Sequence, residues 1–197
     1  MKQLIKPTLV ILFAMSFTCA FSQAGSSAKV GLYKNEDDFN MHKLTFELDC
    51  KSKQDAIKTN GFFESPKVTV TINNKKYVVL KKDFFGYHDC KGNDYRFYQN
   101  KMFEIVDTVS FYVYKHTALE PGAGGKGYAT ITKYYFSKKG DGPLRSLTVK
   151  ALSDAFPENA KFRYALESYA HNDHGLMDYD PYLKSYKLKY LFAESVK

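Results

Sequence analysis

The chain contains no tryptophan, and only three cysteines and three arginines among its 197 residues. Each scarcity excludes something. Without tryptophan, a sugar-stacking function loses its best platform. Arg96, Arg145 and Arg163 are scattered, whereas specific nucleic-acid readers lean on arginine for bidentate contacts with phosphates and bases. A nucleic-acid partner is therefore not expected. There is no H-E-x-x-H and no G-x-S-x-G elbow, so zinc-protease and serine-hydrolase signatures are missing. After the first 24 residues, no segment is apolar over the roughly 20 positions that a membrane-spanning helix requires.

The first 24 residues have the build of a secretory signal peptide. Lys2 and Lys6 form a basic start, residues 8–21 an apolar core, and Ser22 and Ala24 the small residues of a cleavage site. The apolar core is too short for a comfortable retained anchor. Cys19 lacks the small residue directly before it that lipidation favours, since SFTC puts Thr18 there. The mature chain is expected to begin near Gly25 and to form one α+β domain over 25–197, with strands mainly in 43–137 and helices mainly in 146–196. Loss of Lys2 and Lys6 leaves 27 basic residues against 21 acidic ones, a formal charge of +6. In an exported chain those dispersed lysines describe a solvated surface.

With Cys19 removed, Cys50 and Cys90 remain, and an even count in an exported protein predicts a disulfide between them. Closing a loop of about 40 residues is worth roughly 4 kcal/mol in chain entropy.

What the chain has in quantity is tyrosine and phenylalanine, 16 of each, set in alternating runs. KLTFELD (43–49) and KVTVTI (67–72) alternate apolar and polar residues as half-buried strands do. KKYVVL (75–80) follows across Asn73 and Asn74, which tolerate the positive φ of a tight hairpin. DYRFYQ (94–99), MFEIVD (102–107), VSFYVYK (109–115) and GYATITKYYFS (127–137) continue the series without intervening helices. The pattern predicts an antiparallel meander of about seven strands. Before it, GSSAKVGLYKNEDDF reads as an entry segment in which Asn35 caps a short acidic helical turn. Tyr112 and Tyr114, opposite Phe111 and Val113, are candidates for an exposed tyrosine surface.

Past KKGDGP (138–143) the period changes. LTVKALSDAF (147–156) places its apolar residues on one helical face before Pro157, and Asn159 can cap a second helix in AKFRYALESYA. Asp180-Pro181 has the form of an N-cap followed by proline at the first helical position. The segment after it suits a helix through Leu183, Tyr186 and Tyr190, but it also alternates as a strand does; the cap favours the helix. Two or three C-terminal helices then cover one face or an open end of the sheet.

Three stretches suggest chemistry. PGAGGKG (121–127) contains a literal G-x-G-x-x-G, but a strand pattern follows it where a phosphate site requires a helix. It is expected to be a loop between strands. HNDHGLMDYD (171–180) puts His171 and His174 at helical spacing, with Asp173 or Asp178 able to complete a metal site. The same residues serve as a helix end and cap, and no further ligands lie nearby in sequence. His88, Asp89 and Cys90 suggest cysteine–histidine catalysis, yet Gly92-Asn93 marks a hairpin turn and a bridged cysteine is no nucleophile.

The order LTFELDC, a hairpin, FGYHDCKGNDYRFY and AFPENAKFRYALESY resembles small uncharacterised exported proteins of Bacteroidetes-type bacteria, a group with no assigned activity. The resemblance implies export and a single domain, and it assigns no functional residue. The expected function is an exported, non-catalytic binding or structural module without cofactor, whose partner is a protein, a peptide or a polysaccharide. The alternative is a metal-dependent enzyme centred on His171 and His174.

Overall fold

The computed structural model describes residues 28–61, 64–121, 127–169 and 173–197. The signal peptide expected over 1–24 lies outside the described residues. Among them, no helix is long and apolar enough to cross a membrane.

The chain enters on β1 (Lys29–Tyr33), a strand where the sequence pattern had suggested only an entry segment. Its residues are buried on both faces beyond Lys29, which removes the alternation that marks a half-exposed strand. Asn35 then caps α1 (Glu36–Asn40), its side chain accepting the Asp38 amide at 2.8 Å. β2 (Thr45–Asp49), β3 (Ala56–Lys58), β4 (Lys67–Ile72) and β5 (Lys75–Leu80) follow. The turn between β4 and β5 uses Asn73 and Asn74 at φ 50° and 62°, as their side chains allow.

β6 (Gly86–His88), β7 (Asp94–Tyr98), β8 (Lys101–Asp107), β9 (Tyr112–Pro121), β10 (Tyr128–Ser137) and β11 (Arg145–Ser146) form the meander. All pairings are antiparallel. The large sheet has eight strands in the order β11-β10-β9-β8-β7-β6-β1-β2, while β3, β4 and β5 form a separate three-stranded sheet. The expected antiparallel α+β architecture is present; its strands divide between two sheets, and β1 and β2 extend the large one beyond β6.

The helices come last: α2 (Val149–Ala155), α3 (Ala160–Tyr169) and α4 (Lys187–Ser195). Thr148 caps α2 through the Ala151 amide, and Asn159 caps α3 through the Phe162 amide, each at 3.0 Å. Asp180-Pro181 does not start a helix. Asp180 accepts the Tyr182 and Leu183 amides and closes a turn between β12 (Tyr179–Asp180) and β13 (Ser185–Tyr186). Lys184 in that turn has φ 49°, which a right-handed helix forbids, so α4 begins only at Lys187.

Cross-strand partners share a face, and one row crosses most of the large sheet: Leu32, Tyr87, Tyr95, Glu104, Lys115 and Tyr134. Its Leu32 end lies in a core with Val68 and Val70 of the small sheet. Its Tyr134 end packs on the core that Phe111, Val113 and Phe136 make with the helices. The small sheet and the helices therefore cover the same face at opposite ends.

The other face holds Tyr33, Phe103, Tyr112 and Tyr114, covered by Phe39 of α1 and by Phe85. The expected exposure of Tyr112 and Tyr114 is corrected: they are 8% and 0% exposed. Arg96 is buried among them, donating to the Tyr114 hydroxyl at 3.3 Å and to the Gly142 carbonyl at 2.7 Å. Its guanidinium also lies over the Phe85, Tyr98 and Tyr114 rings, so aromatic faces help to solvate the charge.

α4 buries a second cation. Lys189 Nζ lies 3.3 Å from Asp107, donates to the carbonyls of Val109 and Phe111, and sits over the Phe111 ring. Burial pulls its pKa down to about 8, against the opposing pull of Asp107. The unfolded chain then holds this proton to higher pH than the folded one, so stability rises with pH between those two values. Between pH 7.5 and 10 the gain from this group is about 2 kcal/mol. Above about pH 10 it is offset, because burial raises the phenols of Tyr33, Tyr95 and Tyr112 and unfolding releases their protons. Urea unfolding across this range should show the rise in wild type and lose it in Lys189→Met.

Candidate functional site

Between its two covering layers the large sheet is left partly open. Tyr87, Tyr95, Glu104, Lys115 and Tyr134 of the cross-strand row are all half-buried there. Two hollows of about 350 and 490 Å³ lie along this band and share Gly61, His116 and Thr117. The smaller reaches Tyr95, Glu104 and Lys115; the larger continues past Glu64 to Leu119 and Thr130. Together they make one cleft, with the sheet as floor and the end of the 56–61 segment as wall.

The charges that line the cleft are paired: Lys115 meets Glu104 at 2.7 Å, and Glu64 meets Lys101 at 3.1 Å. The hydrogen bond to Glu104 raises the Lys115 pKa above its ordinary value. Burial, followed by the charges of Asp89 and Glu104, pushes the Tyr95 phenol up to about 12. Near neutral pH, Lys115 is therefore charged and Tyr95 neutral. A general acid or base works best with a pKa near the operating pH, and neither group is tuned that way. What the cleft offers is a phenol, a zwitterionic pair and the Thr117 and Thr130 hydroxyls, which suits hydrogen bonding.

His116 shapes one side of the cleft. Its Nδ1–H donates to the Met102 carbonyl at 2.8 Å, and its ring lies 5.0 Å from Phe103. The paired register of β8 with β9 ends at Glu104 and Lys115, one residue before this imidazole.

The residues weighed from sequence are placed elsewhere. Cys50 and Cys90 form a disulfide with a Cα–Cα distance of 5.6 Å, within the range such bridges require. Asp89 closes the β6–β7 turn by accepting the Lys91 and Asn93 amides. His88 meets Asp94 at 2.7 Å, where the Tyr33 hydroxyl also donates at 2.9 Å. This trio has the hydrogen-bonded form of a catalytic relay, but Tyr33 is 1% exposed and the neighbouring sulfur is bridged. Its groups satisfy one another.

His171 lies outside the described residues, and of His174 only the backbone is described, in a 3-10 turn over Asp173–Met177. The carboxylates nominated to join them are occupied. Asp173 accepts the Val149 amide at the start of α2 rather than capping its own next turn, and Asp178 accepts the Tyr169 hydroxyl. Of PGAGGKG, residues 122–126 lie outside the described residues; its flanks are the paired strands β9 and β10, a strand context and not a phosphate-binding one.

The row of Tyr95, Glu104 and Lys115 was missed in the sequence. Part of it was legible. Gln99 and Asn100, at φ 49° and 66°, make a two-residue turn, and such a turn fixes Tyr95 opposite Glu104 by counting outward. Comparison with family models, with curated proteins and with solved structures finds no match for the chain.

Proposed function

We propose that the protein is an exported, non-catalytic binding module that holds a polar ligand of no net charge in the cleft over Tyr95, Glu104 and Lys115. The observation that carries this reading is the half-buried row itself, open between two covering layers and with its charges already neutralised. A charged ligand would have to break those ion pairs; a neutral chain, polypeptide or polysaccharide, can exchange hydrogen bonds with them. Export is supported by the leader pattern and by the Cys50–Cys90 bridge, a bond that persists in oxidising compartments.

Calorimetric titration of the mature protein with neutral blocked peptides and with dextran tests the reading. Binding should weaken at least about tenfold, or about 1.4 kcal/mol, in Tyr95→Ala and in Lys115→Ala. Tyr164→Ala, on an exposed face of α3, should leave it unchanged. Equal weakening by all three, no binding of any probe, or chemical conversion of a probe would overturn it.

A further inference from the structure

Beyond Lys115, the stretch His116–Pro121 of β9 pairs only with β10 among the described residues. The direction of its main-chain groups follows from one residue. In an antiparallel ladder, successive residues turn their N–H and C=O alternately to one neighbour and the other. Pro121 has no N–H, and a strand proline turns that side away from its paired strand. Leu119, Thr117 and Lys115 share its parity and also face away from β10. The Leu147 amide donates to the Tyr134 carbonyl at 2.9 Å, so Tyr134 turns its main chain to β11 and its partner Lys115 turns to β8, as this requires.

On β8 the next acceptor of matching parity is the Met102 carbonyl, which a continuing ladder would offer to the Thr117 amide. The His116 imidazole takes it instead. His116 is thus a stop placed between two strands. It leaves the N–H and C=O of Thr117 and Leu119 directed toward the cleft. Both residues line the larger hollow.

What can occupy such an edge is restricted by its chemistry. Alternating donors and acceptors at a repeat of about 3.3 Å per residue match another extended polypeptide, and a sugar chain does not supply them. The ion pairs of Lys101 with Glu64 and of Lys115 with Glu104 neutralise the charges that line the cleft. Leu119 and Tyr128 are 49% and 77% exposed on the cleft-side face of the hairpin and can receive alternate side chains of an added strand.

We infer that the cleft takes its ligand as an added β-strand: a neutral, extended polypeptide segment that hydrogen-bonds to Thr117 and Leu119 along the free edge of β9. This rests on the cleft being the binding site and names the class of ligand that it takes.

The test is residue-resolved amide hydrogen exchange on the mature protein, with N-acetylated, C-amidated Val-Thr-Val-Thr-Ile as probe. Exchange at Thr117 and Leu119 should slow at least tenfold at saturation, while Ala118 and Glu120, which face β10, should change little. The same peptide N-methylated at alternate residues should fail to slow them. Thr117→Pro removes an outward donor without touching the β10 ladder, and should weaken binding at least tenfold. Wild-type exchange keeps the test valid even if that variant folds poorly.

No binding, binding without slowing at Thr117 and Leu119, or equal binding of the N-methylated peptide would overturn the inference. So would slowing that depends on protein concentration without peptide, which would mean that two copies pair their edges. If peptide or dextran perturbs Tyr95 and Lys115 but leaves the edge amides unprotected, the added strand is wrong and the cleft stands. If neither region responds, both fail.

Discussion

Replacing Cys50 and Cys90 together by alanine should lower the folding free energy by about 4 kcal/mol, the chain-entropy value for a closed loop of 40 residues. The position of the bridge explains the size of the effect. Cys50 follows β2 and Cys90 follows β6, and these two strands flank β1 in the large sheet. The bond therefore straps the sheet across its first strand. The loop it closes contains all of β3, β4 and β5, the small sheet that walls one end of the cleft. Without the bridge, that sheet is held by its apolar core with Val30, Leu32 and Phe97 and by the peptide links at its ends. Urea unfolding of the oxidised protein and of the double variant gives the difference directly. A loss below about 1 kcal/mol would mean that the unfolded chain gains little freedom when the loop opens.

Phe162→Ala should cost about 4 kcal/mol, within the usual range for truncating a buried phenylalanine. Phe162 is 0% exposed and its ring lies 5.6 Å from Phe156 and 5.0 Å from Phe192. Those rings come from the end of α2 and from α4, and both contact Phe111 at the start of the β9 region. One side chain on α3 thereby joins the helical layer to the sheet. Phe162→Leu keeps most of the volume and should cost roughly 1 kcal/mol. Thermal unfolding of the two variants separates a cavity effect from a loss of aromatic contact. Equal destabilisation by both would place the energy in ring geometry; no loss in either would contradict the packing of α3 on the sheet.

The α+β class, the antiparallel pairing, the C-terminal helices, two caps and the disulfide were legible in the sequence. They are local signals, carried by residues such as Asn35, Asn159 and the alternating run KVTVTI. Other features depend on partners distant in sequence. β1 is buried on both faces, so it shows no alternation. Tyr112 and Tyr114 alternate with apolar neighbours as surface tyrosines do, yet α1 covers this face and Arg96, 18 residues from Tyr114, bonds its hydroxyl. Asp180-Pro181 has the residues of a helix cap, but the hairpin between β12 and β13 uses the same hydrogen bonds first. The cleft was least legible, because register across four strands sets it and no single run contains it. His116 is the extreme case: only the position of the Met102 carbonyl shows why it is there.

The central claim, a binding cleft on the open band of the large sheet, is tested most directly by a residue-resolved chemical-shift map of the 25–197 chain titrated with the neutral peptide. Saturable shifts should concentrate at Tyr95, Glu104, Lys115, His116, Thr117 and Leu119. Saturable shifts centred instead on His88 and Asp94, on the Arg96 cluster or on the 171–180 stretch, or no shifts at all, would contradict it.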